Sequence, residues 1–259
     1  MIEIDFYSLT TVPIQQFANG QPMRSATAFV WRRGLQHYLI TNWHVATGKN
    51  ARTGELETEA QPDMPRAMFN IRMNDFGKKI VDINIRDEAR RPCWFAHPVR
   101  QRGSDVVAIP LPIPGDDPII NMYPINSDEK PKVDLAVKIG MDVFVLGYPF
   151  GADPPGFPVW KRGSIASEPH LTRPGLGYML VDTASRPGMS GAPVIPRSWS
   201  QHFMEDGTNR PLASNSLTRF IGVYSGRLHT KDPSDAQIGM VWPAEDIEEI
   251  IGGAKLDEG

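Results

Sequence analysis

Asp182-Thr183-Ala184-Ser185-Arg186-Pro187-Gly188-Met189-Ser190-Gly191-Ala192-Pro193-Val194-Ile195 sets a serine between glycines, in a Pro-punctuated turn flanked by two apolar, strand-like runs. A serine hydroxyl attacks a carbonyl only when a neighbouring base takes its proton and backbone N–H groups hold the oxyanion that develops. Ser190 is therefore the candidate nucleophile. Without a Cβ, Gly188 can adopt the unusual dihedrals that turn its own N–H and that of Ser190 toward one point, a candidate oxyanion hole. The competing reading of Gly188 to Pro193 is a simple Gly-Ser-Gly turn between strands.

Upstream, Ala26-Thr27-Ala28-Phe29-Val30-Trp31 is rich in strand formers, Arg32-Arg33-Gly34 turns the chain, and His37-Tyr38-Leu39-Ile40-Thr41-Asn42 returns. This hairpin delivers His44 at its end, in a short turn or helical segment. His44 is the candidate base, although a histidine after an aromatic is often only packed against it. Ala67 to Met73 and Lys79 to Ile85 alternate with period two around Asn74-Asp75-Phe76-Gly77, the pattern of a hairpin with one buried face. Asp105 stands immediately before the apolar run Val106 to Leu111; on its own it reads as a strand-opening turn residue.

The chain has 259 residues, enough for one large β domain or two small lobes sharing a core. Its 23 Gly and 24 Pro recur between short apolar runs, which favours an all-β fold. A net charge of −3 and a pI near 6.1 offer no global attraction to nucleic acid or to an anionic membrane, and no apolar run is long enough to span one. With Cys93 as its one cysteine the chain can form no internal disulfide, and its acidic N-terminus lacks the regions of a signal peptide. Both features lead to an expected cytoplasmic location. Cys93, between Pro92 and Trp94, is expected in the core. No internal repeats, heptads or metal-ligand spacings occur, so neither metal nor cofactor is expected. Pro243 to Gly252 should form a short amphipathic C-terminal helix, Ile247, Ile250 and Ile251 on one face and Gly252 as its stop, docked on the second lobe. The long polar stretch Arg197 to Arg219 interrupts the strands and is expected to be a mobile loop or a regulatory or partner-binding segment.

The serine run resembles the serine signature of chymotrypsin-fold peptidases, especially the bacterial trypsin-like and HtrA-like branch. Leu39-Ile40-Thr41 followed by His44-Val45 resembles that family's histidine motif, Asp105 before its apolar strand matches the acidic motif, and Gly147-Tyr148-Pro149 resembles a turn of the HtrA-like members. The order His44, Asp105, Ser190 marks this fold among unrelated triad enzymes. The resemblance implies two six-stranded-type antiparallel β-barrels, a lobe of residues 1–115 carrying His44 and Asp105 and a lobe of residues 116–259 carrying Ser190 and ending in the helix. It implies a serine endopeptidase acting on protein or peptide substrates, with Gly188 and Ser190 as the oxyanion hole. Ala184, Ser225, Gly226 and Arg227 would bind substrate. Ala184 falls where a carboxylate would select Lys or Arg, so trypsin-like specificity is not expected.

Several features depart from the family pattern. Met189 precedes the serine where an aspartate or asparagine is usual, with the expected consequence of a weakened oxyanion loop ordered by substrate or by a partner. Ala192 replaces a glycine, and the chain ends too soon after the helix to hold a PDZ domain. The alternative function is a latent or non-catalytic protease-like module that binds extended peptides and is activated by a regulatory protein partner. A nucleophile elbow of the α/β-hydrolase type would need a helix after the serine, which Pro193 and Pro196 oppose; His202 and His229 sit in no comparable motif.

Overall fold

The computed structural model describes residues 4–72, 74–128, 133–151, 156–169, 177–184, 186–199, 201–211, 216–228 and 237–258. His229, Ser185, and residues 200 and 212–215 of the insertion lie outside these. Strand β1 (Thr11–Ala18) pairs with β2 (Gln21–Arg33), which pairs with β3 (Gln36–Thr41). The β2 sequence explains why two lobes form. Side chains alternate along a strand, so Ala26, Ala28 and Val30 enter one apolar core while Phe29 and Trp31 enter another on the opposite face. Thr27 lies on that second face. Further along come β4 (Arg66–Ile71), β5 (Asn74–Asp82), β6 (Val107–Pro110) and β7 (Ile120–Asn121). The first sheet runs β5-β4-β1-β2-β3-β6, with β7 on β4. Its interior holds Val12, Leu39, Trp43, Phe69, Ile83 and Trp94.

The second sheet contains β8 (Asp142–Gly147), β9 (Val159–Ile165), β10 (Met179–Asp182), β11 (Pro193–Ser198), then, beyond a separate hairpin of β12 (Gln201–Phe203) and β13 (Asn209–Pro211), β14 (Leu217–Thr218), β15 (Gly222–Arg227) and β16 (Ile238–Pro243). In the order β11-β15-β16-β10-β9-β8, with β8 paired back onto β11, it closes a six-stranded antiparallel barrel. Closure leaves no free edge among those six strands. The expected all-β fold of chymotrypsin-like double-barrel type is thus found. The Arg197–Arg219 insertion contributes the ends of β11, the β12–β13 hairpin and β14.

Three short α-helices, α1 (Phe6–Thr10), α2 (Trp43–Thr47) and α3 (Glu245–Gly253), and a 3-10 turn at Pro149–Gly151 complete the described chain. The third differs from expectation in two respects. It runs through Gly252 and Gly253 and stops at Ala254, which takes the left-handed conformation at φ 45°. It also docks across the seam between the sheets rather than on the second barrel alone. Ile247, Ile250 and Ile251 share one apolar cluster with Ile40 and Ala108 of the first sheet, Val106 beside it, and Val223 and Trp242 of the second. Polar ties follow the same seam: Trp31 Nε1 donates to Glu248 at 3.0 Å, and Asp246 accepts from Arg100 at 2.6 Å and Ser104 at 2.7 Å. Cys93 is half-buried rather than in the core, because Trp94 fills the interior position beside it.

Ile250 is fully buried in this seam. Ile250→Ala is expected to cost about 2–5 kcal/mol of stability, read as a lowered urea midpoint with tryptophan signals from both lobes shifting together.

Candidate active site

The chain leaves β3 into α2, a single turn ended by Gly48 at φ 70°. Asn42 precedes this turn but makes no side-chain cap bond; its Nδ2 instead donates 2.8 Å to the carbonyl of Asp105. That bond ties the histidine-bearing turn to the segment entering β6. The tie places His44 N 2.8 Å from Asp105 Oδ1 and His44 Nδ1 2.7 Å from Asp105 Oδ2. Ser225 Oγ also donates to Asp105 Oδ2. A buried carboxylate needs such donors to offset its lost hydration. Because an ionised carboxylate only accepts, Nδ1 carries the proton and the lone pair of Nε2 is left for the cleft.

The His44 side chain is 27% exposed. Burial alone would lower its pKa; the charge of Asp105 and its hydrogen bond, with a smaller contribution from Glu57, outweigh burial and an opposing Arg24 and raise it above the ordinary value. The imidazole is thereby a stronger base than a free histidine.

Ser190 is positioned from the other lobe. Gly188 adopts φ 95°, and a side chain there would strike Tyr148 O. Pro187 O accepts from Phe150 N at 2.8 Å, and since the carbonyl and N–H of a trans peptide point in opposite directions, the Gly188 N–H is turned away from Phe150. Thr27 Oγ1 donates 2.7 Å to Gly188 O, and Thr27 N donates 2.8 Å to Ser190 O. Among the described residues neither the Gly188 nor the Ser190 N–H has an acceptor. Two donors are therefore available side by side. Met189, expected to loosen this loop, is 1% exposed and packs in the core of the second barrel, its Sδ 2.8 Å from where a Gly147 side chain would begin. It anchors the loop instead.

His44, Gly188 and Ser190 line one cavity of about 500 Å3. No hydrogen bond joins Ser190 Oγ to the His44 ring among the described residues, a looseness common where no substrate is bound. Of the expected substrate-binding residues, Gly226 at φ 89° faces the nucleophile, a side chain there beginning 3.9 Å from Ser190 Oγ. Ser225 is buried, and Arg227 and Ala184 are half-buried; none of these four lines the cavity. The contact of Ser225 with Asp105 is not readable from sequence, where the two stand 120 residues apart. It depends on a register shift between β15 and β16 after Tyr224 that re-aims the strand. No group of three or more His, Cys, Asp or Glu side chains able to hold a metal occurs among the described residues.

A family model described as trypsin-like peptidase domain matches residues 26–200. No curated protein matches the sequence. Among solved structures, the chain is similar to an HtrA-type protease, AlgW, with a tripeptide, at 14% identity over 95% of this chain and 60% of that one, with a TM-score of 0.53. It is also similar to a serine endoprotease from Yersinia pestis, at 11% identity over 97% of this chain and 67% of that one, with a TM-score of 0.52. The chain thus spans about 60% of the AlgW chain, and at these identities the likeness concerns the fold.

Asp105→Asn removes the charge that raises the His44 pKa while burial and Arg24 persist. The His44 titration, followed by NMR, should move from above the ordinary histidine value to below it. An unshifted titration would show that Asp105 does not set the basicity of this imidazole.

Proposed function

The chain belongs to the trypsin-like peptidase domain family, and from that premise we propose that it is a serine endopeptidase working through His44, Asp105 and Ser190. The observation that carries this reading is the 2.7 Å His44–Asp105 pair, whose histidine lines the same cavity as Ser190. In the proposed reaction Ser190 Oγ bonds to the scissile carbonyl carbon as His44 Nε2 takes its proton. The oxyanion is held by the N–H groups of Gly188 and Ser190. On collapse the C–N bond breaks and His44 returns the proton to the leaving amine. Water, deprotonated by the same imidazole, then hydrolyses the acyl-enzyme. Asp105 fixes the tautomer of His44 and stabilises the imidazolium, and Ser225 adds a hydrogen bond to that carboxylate. The acyl side of the substrate runs along Ser225-Gly226-Arg227 of β15, with Ala184 behind it.

A latent, partner-activated module is the second reading, favoured by the missing Ser190–His44 hydrogen bond; the anchored Met189 and the two unused N–H groups weigh against it. A cytoplasmic location is proposed as well, supported by a lone, free cysteine.

A fluorophosphonate probe is expected to label the native protein, to leave Ser190→Ala unlabelled, and to label His44→Ala at a rate lower by about 10²–10⁴. A folded native protein that stays unlabelled would replace the active endopeptidase with the latent module.

A further inference from the structure

Phe150 stands out beside the nucleophile. Its backbone is left-handed at φ 60° and ψ 22°, at the third position of a turn that Gly151 N closes onto Tyr148 O at 3.1 Å, a conformation that is strained for a bulky residue. It is 72% exposed, and among the described residues its ring meets no other aromatic and no cation. The fold leaves most of this residue open to solvent. It does form a wall of the cavity that holds His44 and Ser190.

That cavity, about 500 Å3, lies within the ordinary size range of small-molecule sites. It does not include the β15 residues proposed above for the acyl part of the substrate, so a peptide held at Ser190 enters it with the part that leaves as the amine. Pro187 and Val45 line it alongside Phe150, while Arg24 and Glu57 stand among its polar residues. Arg24 Nη2 donates 2.9 Å to Glu57 O, and the two side chains carry opposite charges. The charges of its lining are of opposite sign, and Phe150, Pro187 and Val45 are its larger apolar side chains.

Resting on the endopeptidase reading, we infer that this cavity is the leaving-group subsite and that Phe150 selects a large apolar or aromatic side chain immediately after the scissile bond. Phe150 N also holds Pro187 O, on the peptide that turns the Gly188 N–H. The ring that meets the leaving residue thus belongs to the residue whose amide orients the oxyanion donor.

The test is cleavage of a proteome-derived peptide pool by the native protein, Phe150→Asn and Phe150→Tyr, with both sides of every cut identified by mass spectrometry. Asn tolerates left-handed backbone, so Phe150→Asn removes the ring while keeping the local geometry accessible; Phe150→Tyr keeps the ring. The native protein and Phe150→Tyr should cut before Phe, Tyr, Trp and Leu. For matched peptides, kcat/KM with Phe after the scissile bond should exceed that with Gly by about tenfold, and in Phe150→Asn the ratio should fall to about one. The same ratio in Phe150→Asn, or no preference in the native protein, overturns the inference. Failure of the endopeptidase reading looks different: no probe labelling at Ser190 and no cutting at all, which removes the leaving group and the inference with it.

Discussion

Thr27 joins the two halves of this molecule. It is fully buried on the seam-facing side of β2. Its N–H binds Ser190 O, and its hydroxyl donates to Gly188 O while accepting from Tyr148 N at 3.1 Å; its carbonyl accepts a hydrogen bond from Thr41 Oγ1 at 2.9 Å. Each of these partners is a polar group that would otherwise be stranded in a dry interface, where an unmade hydrogen bond costs about 1–3 kcal/mol. A valine of the same shape would keep the two backbone bonds, to Ser190 O and from Thr41 Oγ1, and leave Gly188 O and Tyr148 N without theirs. The serine loop therefore takes its conformation from the lobe that carries the histidine.

The same division of labour recurs around Asp105. His44 and Asp105 come from the first sheet, Ser225 from the second, and one carboxylate oxygen receives both His44 Nδ1 and Ser225 Oγ. The segment before Asp105 is held in turn by α3, through Asp246 to Ser104 and Arg100. Each lobe by itself leaves the site incomplete, because the hydrogen bonds that orient a residue on one side end on the other.

Much of this organisation is legible in the sequence because it rests on local patterning. The period-two alternation of Ala26 to Trp31 marks β2, the glycines around Ser190 mark a strained turn, and the order of His44, Asp105 and Ser190 gives the fold. What escapes is long-range or conformational. Nothing local says that Thr27 grips residues 161 and 163 positions away, that Ser225 aims at Asp105, or that Met189 is a core residue. Left-handed backbone at Phe150 and Ala254 is equally hidden, since neither residue type favours it. The sequence suggests Gly252 as the helix stop by composition; packing of Ile250 and Ile251 carries the helix past it.

Residues beyond α3 return to the first sheet. Lys255 O accepts from Ala96 N at 3.0 Å, Leu256 bridges Phe95, which itself pairs with Ala108, and Asp257 accepts a hydrogen bond from the indole N–H of Trp43, the neighbour of His44, at 3.0 Å. The order of synthesis and the order of assembly therefore differ. A ribosome making this chain releases the histidine lobe first, yet that lobe lacks its outermost partners until residues 255–257 have emerged. A growing chain thus carries its nucleophile and its base before it has the contacts that finish their frame, which defers the mature cleft until residues 255–257 have been made.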